Sequence, residues 1–409
     1  MKFSLNELLA VALVQSLAAT PINAGPAQES NAALSSGDYA TTLNLLRPLA
    51  EKGDAVAQRN LGIIYDNGFG VPKNGSEAAK WYLLAANAGD AQAQANLGSM
   101  YLSGRGPIDF DEALKWNRLA AKQGNPAGQS NLATMYQLWE KILPKDAEAS
   151  PLRLYQLAAN QGYAEAEHEL GDIYMYGLGV HLDYVEAAKW YRRAADQGDA
   201  RAQLILAGMY ARGLGVPRDN AEAAKWYRAV DDGDKGGASH VLGGGNENTL
   251  GELTPWVRQS AWLALGNIYE NGIGVPQDYV EAVKWYRRGA DQYDIEAQLS
   301  LGRMYENGHG LPQDYEQAEN LYFSAALHDY APAQLALGRL YVNGHGVRQD
   351  DVFAYAWLSL SAAQGSAEAS QELDVRKALM TPAKIAEAQE MAATFKREIE
   401  HVHWREIRD

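Results

Sequence analysis

Cysteine is absent from all 409 residues, and three possibilities go with it. No disulfide can staple the fold, no thiolate site can hold zinc, and no lipid can be attached to a cysteine at a mature N-terminus. Basic charge is also in short supply. The 36 Lys and Arg stand against 51 Asp and Glu, a formal net charge of −15. Little is then left to neutralise phosphates, so nucleic acid is not an expected partner. Long apolar runs are missing as well. The stretch from Leu8 to Ala19 is short and interrupted by Gln15 and Ser16, whereas a membrane span needs about 20 apolar residues. A membrane-spanning chain is not expected.

What the sequence does have is a phrase that recurs. Residues 57–82 read AQRNLGIIYDNGFGVPKNGSEAAKWY, 166–191 read AEHELGDIYMYGLGVHLDYVEAAKWY, and 297–322 read AQLSLGRMYENGHGLPQDYEQAENLY. The leucine of the LG step falls at Leu61, Leu97, Leu132, Leu170, Leu206, Leu265, Leu301 and Leu337, at intervals of 36, 35, 38, 36, 59, 36 and 36. Eight repeats are countable, and one interval holds an insertion of about 23 residues. Self-similarity at this period identifies a stacked array.

Each repeat reads as two helices. Ala57, Leu61, Ile64 and Tyr65 share one face at helical spacing. Asn67-Gly68-Phe69-Gly70-Val71-Pro72 closes that helix, because glycine accepts the left-handed terminal conformation and proline cannot continue the turn. The second helix starts near Ser76-Glu77, carries Ala78, Trp81, Tyr82, Ala85 and Ala86, and stops at Ala88-Gly89-Asp90. Trp81, Trp116, Trp190, Trp226, Trp285 and Trp357 share one column and read as core.

These columns resemble the Sel1-like repeat, a branch of the tetratricopeptide superfamily. The resemblance implies an all-α fold: a right-handed alpha-alpha superhelical solenoid of about eight repeats with helical caps. MTPAKIAEAQEMA (380–392) is similar to the C-terminal cap of such proteins, with Thr381 and Pro382 suited to a helix start. The absence of cysteine separates the chain from the disulfide-stapled secreted members, so any beta-lactamase-like hydrolase activity found among them is not carried over.

The expected organisation follows from the columns. Residues 1–24 suit a signal peptide cut after Ala24, with an amphipathic first helix of a cytoplasmic protein as the alternative. Residues 25–54 hold a partial repeat or cap, 55–230 hold repeats 1–5, 260–366 hold repeats 6–8, and 367–409 form capping helices. Repeat 3 (126–163) is degenerate: its glycine turn is replaced by YQLWEKILPKDAEASPLRLY, and its first helix is expected to run on to Leu143-Pro144. The segment 231–259 carries seven glycines between Gly233 and Gly251, and reads as a hinge, a binding loop or a tolerated insertion.

No convergent set of titratable groups supports catalysis, and no cofactor or metal site is expected. His309 and His345 both sit inside a GxG turn one period apart. Helices of stacked repeats lie about 8–10 Å apart, while two imidazoles on one zinc each sit about 2 Å from it, so loop residues are the better account. The GxG turns lie between helices and not after a strand, which removes the dinucleotide reading.

In related superhelices the first helices line the concave surface. The positions of Asn60 and Ile63 lie opposite Leu61 and read Asn60, Asn96, Asn131, Glu169, Ile205, Ala264, Ser300, Ala336 and Ile63, Ser99, Thr134, Asp172, Gly208, Asn267, Arg303, Arg339. The candidate partner-binding residues are therefore Asn60, Asn96, Ser99, Glu169, Asp172, Asn267, Arg303 and Arg339; plain solvent exposure is the alternative. Trp139 and Trp256 stand off the tryptophan column and are candidates for contact with a partner or a sugar ring. The expected function is a non-catalytic protein-interaction scaffold or regulator of the bacterial cell envelope, periplasmic or secreted. A carbohydrate- or cell-wall-binding module is the alternative.

Overall fold

The computed structural model describes residues 39–103, 105, 108–138, 150–236 and 255–406; among them are 19 helices and no strand. A first helix, α1 (Tyr39–Glu51), precedes eight helix pairs. These are α2 (Ala55–Asn67) with α3 (Gly75–Asn87), α4 (Ala91–Ser103) with α5 (Phe110–Lys122), α6 (Pro126–Leu138) with α7 (Pro151–Ala159), and α8 (Ala164–Tyr176) with α9 (Tyr184–Asp196). There follow α10 (Ala200–Arg212) with α11 (Asn220–Gly236), α12 (Pro255–Asn271) with α13 (Tyr279–Ala290), α14 (Ile295–Asn307) with α15 (Tyr315–Ala326), and α16 (Ala331–Asn343) with α17 (Asp351–Ala363). The chain closes with α18 (Ala367–Leu379) and α19 (Pro382–Glu406). Two blocks are distinguished, Met1–Arg258 and Gln259–Asp409, so the division falls inside α12.

Capping explains why the helices begin where they do. Asp183 Oδ1 accepts from the backbone N–H groups of Val185 and Glu186 at 2.9 and 3.0 Å. Asp109, Asp219, Asp278, Asp314 and Asp350 do the same work at five other second helices, and Asn74 and Ser150 at α3 and α7. Each such cap contributes about 1 kcal/mol.

Two glycine columns are fixed by what they touch. Gly171 of the LG step lies against the ring of Tyr191, and a Cβ there would enter the ring; Gly266 and Gly302 meet Tyr286 and Tyr322 the same way. The second glycine of the GxG turn, at Gly70, Gly215, Gly310 and Gly346, packs on the start of the preceding second helix or of α1. A Cβ at Gly310 would run into the carbonyl of Tyr279, and Gly310 also has φ 74°, which favours glycine. The turn therefore works as the seam between repeats. The residue between the glycines adds to it: Phe69 stacks on Tyr39 at 5.5 Å, His309 on Tyr279 at 4.5 Å, and His345 lies against Tyr315 at 5.0 Å. That is where the two turn histidines go.

A second seam is polar. Gln94 Nε2 donates to the Ala86 carbonyl at the end of the previous helix, and Gln123 Nε2 donates to Gln94 Oε1 at 2.8 Å. Gln58 and Gln334 repeat the first bond, to Ala50 and Ala326, and Gln364 repeats the second, onto Gln334. In repeat 1 the donor column is occupied by Ala88, and Gln58 Oε1 is buried with no partner.

Three details differ from the sequence reading or lie beyond it. The continuation of the first helix of repeat 3 past Leu138 lies outside the described residues, as does Trp139. The insertion expected over 231–259 is helical at both ends, since α11 continues to Gly236 and α12 starts at Pro255, where proline suits the first turn. The corner glycine seen at Gly89, Gly124 and Gly198 is replaced by Tyr293 and Asp329, which take φ 60° and 58°. An L side chain in that region is strained by about 1 kcal/mol.

The tryptophan column packs as expected. Trp116, Trp226, Trp285 and Trp357 are buried, and Trp81 and Trp190 are partly buried against the clusters around Leu61 and Leu170. No helix among the described residues is long and apolar enough to cross a membrane.

Candidate functional site

The two first-helix columns change character along the chain. In the first repeats they are closed. Asn60, Asn96 and Ser99 are buried, so the expectation of an open groove floor fails at these three. For Asn96 and Ser99 the cause is packing: α4 and α6, the first helices of consecutive repeats, lie against each other, Ala95 clusters with Ala120 and Ala127, and Gly98 makes room for Asn117 of α5. The amides and hydroxyl serve the stack instead. Gln92 Nε2 donates to Asn96 Oδ1 at 2.9 Å, Arg105 Nη2 donates to Ser99 Oγ at 3.1 Å, and Asn131 Nδ2 donates to Asn117 Oδ1 at 3.1 Å. Asn60 Oδ1 is buried without a partner.

In repeat 4 the same columns are acidic and part-open. Glu165, Glu169 and Asp172 follow each other at four and three residues along α8, which places them on one face, and all three are partly exposed. His168 lies beneath them, buried. Its Nδ1 is 3.1 Å from Asp199 Oδ1 and its Nε2 is 3.7 Å from Asp172 Oδ2. Asp199 is also the N-cap of α10, so this imidazole ties repeat 4 to the start of repeat 5. Burial alone would lower the His168 pKa; the hydrogen bond and charge of Asp199, with Asp172 behind, outweigh it and raise it. Burial pushes Glu169 up to about 7, helped by Asp172 and opposed by His168. Burial likewise raises Glu165. The Tyr191 hydroxyl donates to Asp172, and burial first, then that carboxylate, drives its pKa up. This face presents three carboxyl groups to whatever approaches it.

In the C-terminal block the columns are open again. Asn267 is exposed, with its Oδ1 2.8 Å from the Tyr286 hydroxyl, which also lies 2.6 Å from Glu270 Oε2. Arg303 is exposed. Arg339 is not available in the same way. Its Nε donates to Glu372 Oε1 at 2.6 Å and its Nη2 to Glu368 Oε2 at 2.7 Å, so it is held by the capping helix α18. Trp256 is exposed on α12. Among the described residues no group of three or more His, Asp or Glu is placed to hold a metal ion.

Sequence columns missed the buried His168, because a single histidine inside an acidic helix carries no spacing signal. They also passed over the turn of repeat 4, where Tyr176 and Leu182 depart from their columns in plain view.

Comparison with known proteins agrees with the repeat count. The Sel1 repeat profile matches residues 55–90, 91–125, 126–163, 164–199, 200–229, 261–294, 295–330 and 331–366. Repeats of this kind generally mediate protein–protein interaction on a solenoid that is typically non-catalytic. Among solved structures, the chain is similar to a Sel1 repeat protein from Oxalobacter formigenes, at 29% identity over 88% of this chain and 99% of that one, with a TM-score of 0.48. It is also similar to a protective antigen of uropathogenic Escherichia coli, at 25% identity over 99% and 97%, TM-score 0.42. An immunity protein from Pseudomonas aeruginosa matches at 21% identity over 56% and 83%, TM-score 0.38. None of the curated proteins matches the chain.

Proposed function

The chain belongs to the Sel1 repeat family, and we propose that it is a non-catalytic interaction scaffold of the bacterial cell envelope that holds a segment of a partner protein. The observation that carries this reading is the patterned polarity of the open first-helix positions. Glu165, Glu169 and Asp172 are part-open in repeat 4, and Asn267 and Arg303 are exposed in repeats 6 and 7. Exposed polar groups fixed on rigid helices, acidic in the first block and amide or basic in the second, suit selection by each block of a segment of matching polarity. Export is part of the proposal and rests on the leader-like residues 1–24.

The test is capture from a cell-envelope extract by the immobilised chain starting at Gly25. Arg303→Glu and Glu169→Lys/Asp172→Lys run in parallel. Arg339 is unsuitable as a probe, because its replacement would release Glu368 and Glu372 of α18. A protein retained by the wild type and lost by either variant supports the scaffold and identifies its pathway. Equal capture by all three sinks the first-helix faces as the binding surface. Trp256, exposed and off the core column, favours one second reading, contact with a cell-wall glycan. Retention on purified peptidoglycan that is lost in Trp256→Ala would support it.

A further inference from the structure

The turn of repeat 4 departs at two positions from the turns that are fastened by side-chain hydrogen bonds. At the position before the first glycine, Asn67, Asn271 and Asn307 each donate to the carbonyl four residues back at 2.9 Å, and Arg212 Nε does the same at 3.1 Å. Repeat 4 has Tyr176 there, which cannot make that bond. Before the aspartate cap, Gln277 and Gln313 donate to the Glu270 and Glu306 carbonyls and to the Tyr279 and Tyr315 hydroxyls, at 2.7–2.9 Å. Repeat 4 has Leu182 there. Two turn-fastening side chains have thus been replaced by apolar ones that are left in solvent.

The result is an apolar patch. Tyr176 is 66% exposed, Leu178 47%, Leu182 52% and Val185 53%. Leu182 folds back against Gly177, between Tyr176 and Leu178, and the Leu178 N–H to Ile173 and Asp183 N–H to Tyr174 bonds hold the loop in place. At this seam position Phe69 is buried by its neighbour, whereas Leu178 is not. The edge of the patch is acidic: Asp172 lies one helical turn before Tyr176, Glu169 two turns before, and Asp183 beside Leu182. Lys189, further along α9, is paired with Glu186 at 2.7 Å.

We propose that the turn of repeat 4 is a docking surface for a partner segment that carries an apolar side chain flanked by lysine or arginine. The apolar side chain covers Tyr176, Leu178, Leu182 and Val185, and the basic groups reach Asp172, Glu169 and Asp183. Charge complementarity selects this occupant over an acidic or neutral one. The proposal deepens the scaffold reading and rests on it.

The test selects peptides from a displayed random library against the full chain and measures their affinity by fluorescence polarisation. The control is the double variant Tyr176→Asn/Leu182→Gln, which installs the residues of the turns of repeats 6 and 7 and should melt no lower than the wild type. The expected result is a set of peptides with an aromatic or aliphatic residue beside Lys or Arg, which bind the double variant about tenfold or more weakly and bind Arg303→Glu unchanged. Peptides that bind both forms equally remove this surface while leaving the scaffold reading in place. Peptides without basic residues overturn the partner chemistry. A wild-type dimer in sedimentation that dissociates in the double variant assigns the patch to a second copy and overturns the proposal, as does a library that yields no binder.

Discussion

Glu169 offers the sharpest physical test of the acidic face. Its pKa is raised from the ordinary 4.5 to about 7, by burial first and by Asp172 next. The folded chain therefore binds this proton more tightly than the unfolded chain, and stability falls as pH rises through that window. A carboxyl sealed from water would account for about 3 kcal/mol over the full window. Glu169 is part-open to solvent, which reduces the expected figure to about 1–2 kcal/mol. Glu169→Gln removes the titration and keeps the shape. Urea unfolding followed by circular dichroism at about pH 5 and about pH 8 reads the difference. The variant should match the wild type at the lower pH and exceed it by about 1–2 kcal/mol at the higher. His168 works in the same direction in the wild type: its raised pKa contributes stability that is present in acid and lost as pH climbs through the folded value. Comparing the two proteins at each pH cancels the general repulsion of a chain with net charge −15. Parallel curves for wild type and variant would refute the reading of Glu169 as a buried, undercompensated carboxyl.

Two further outcomes follow from the repeat columns. Ala88→Gln places a donor where Gln123 and Gln364 already donate to their partners, and should satisfy the buried Gln58 Oε1. The gain should be about 1 kcal/mol, visible as a higher thermal midpoint; an unchanged midpoint would mean that water already serves that oxygen. Tyr293→Gly relieves an L side chain at φ 60° on a ring that is 77% exposed. It should stabilise the C-terminal block by about 0.5 kcal/mol or less after the greater freedom of glycine in the unfolded chain is offset; a loss of stability would show that the ring packs on something that matters.

Much of the fold was legible because each column has one physical duty. Asp183 and its equivalents cap, Gly171 makes room for Tyr191, and Gly310 lets one repeat sit on the carbonyl of the last. Such duties are local or reach one repeat away, so the period exposes them. Accessibility is different. Asn60 and Asn267 stand in the same pair of columns by the same logic, yet one is buried and the other exposed. Accessibility depends on which helices close over each position, and that is set by small residues such as Gly98, which lies against Asn117 of α5, and Ala95, which clusters with Ala120 and Ala127. The sequence lists those residues without saying which gap they close.

The same contrast explains where function should be sought in a chain of this kind. A residue that fills its column is accounted for by stacking: the tryptophans, the LG glycines and the glutamine bridges each hold one repeat to the next. A residue that abandons its column gives up a contact, and something has to offset the loss. For Gln58 nothing does, because Ala88 simply leaves an acceptor unserved. For Arg339 the compensation is internal, since Glu368 and Glu372 hold it. For Tyr176 and Leu182 none of the described residues covers the exposed surface, and two turn bonds made in repeat 6 are missing. Under the docking proposal the compensation comes from the partner segment. On that reasoning the turn of repeat 4, beside the carboxylates of α8, is where a partner contributes most to the stability of the array. Binding should therefore raise the melting temperature of the wild type and leave that of Tyr176→Asn/Leu182→Gln unmoved.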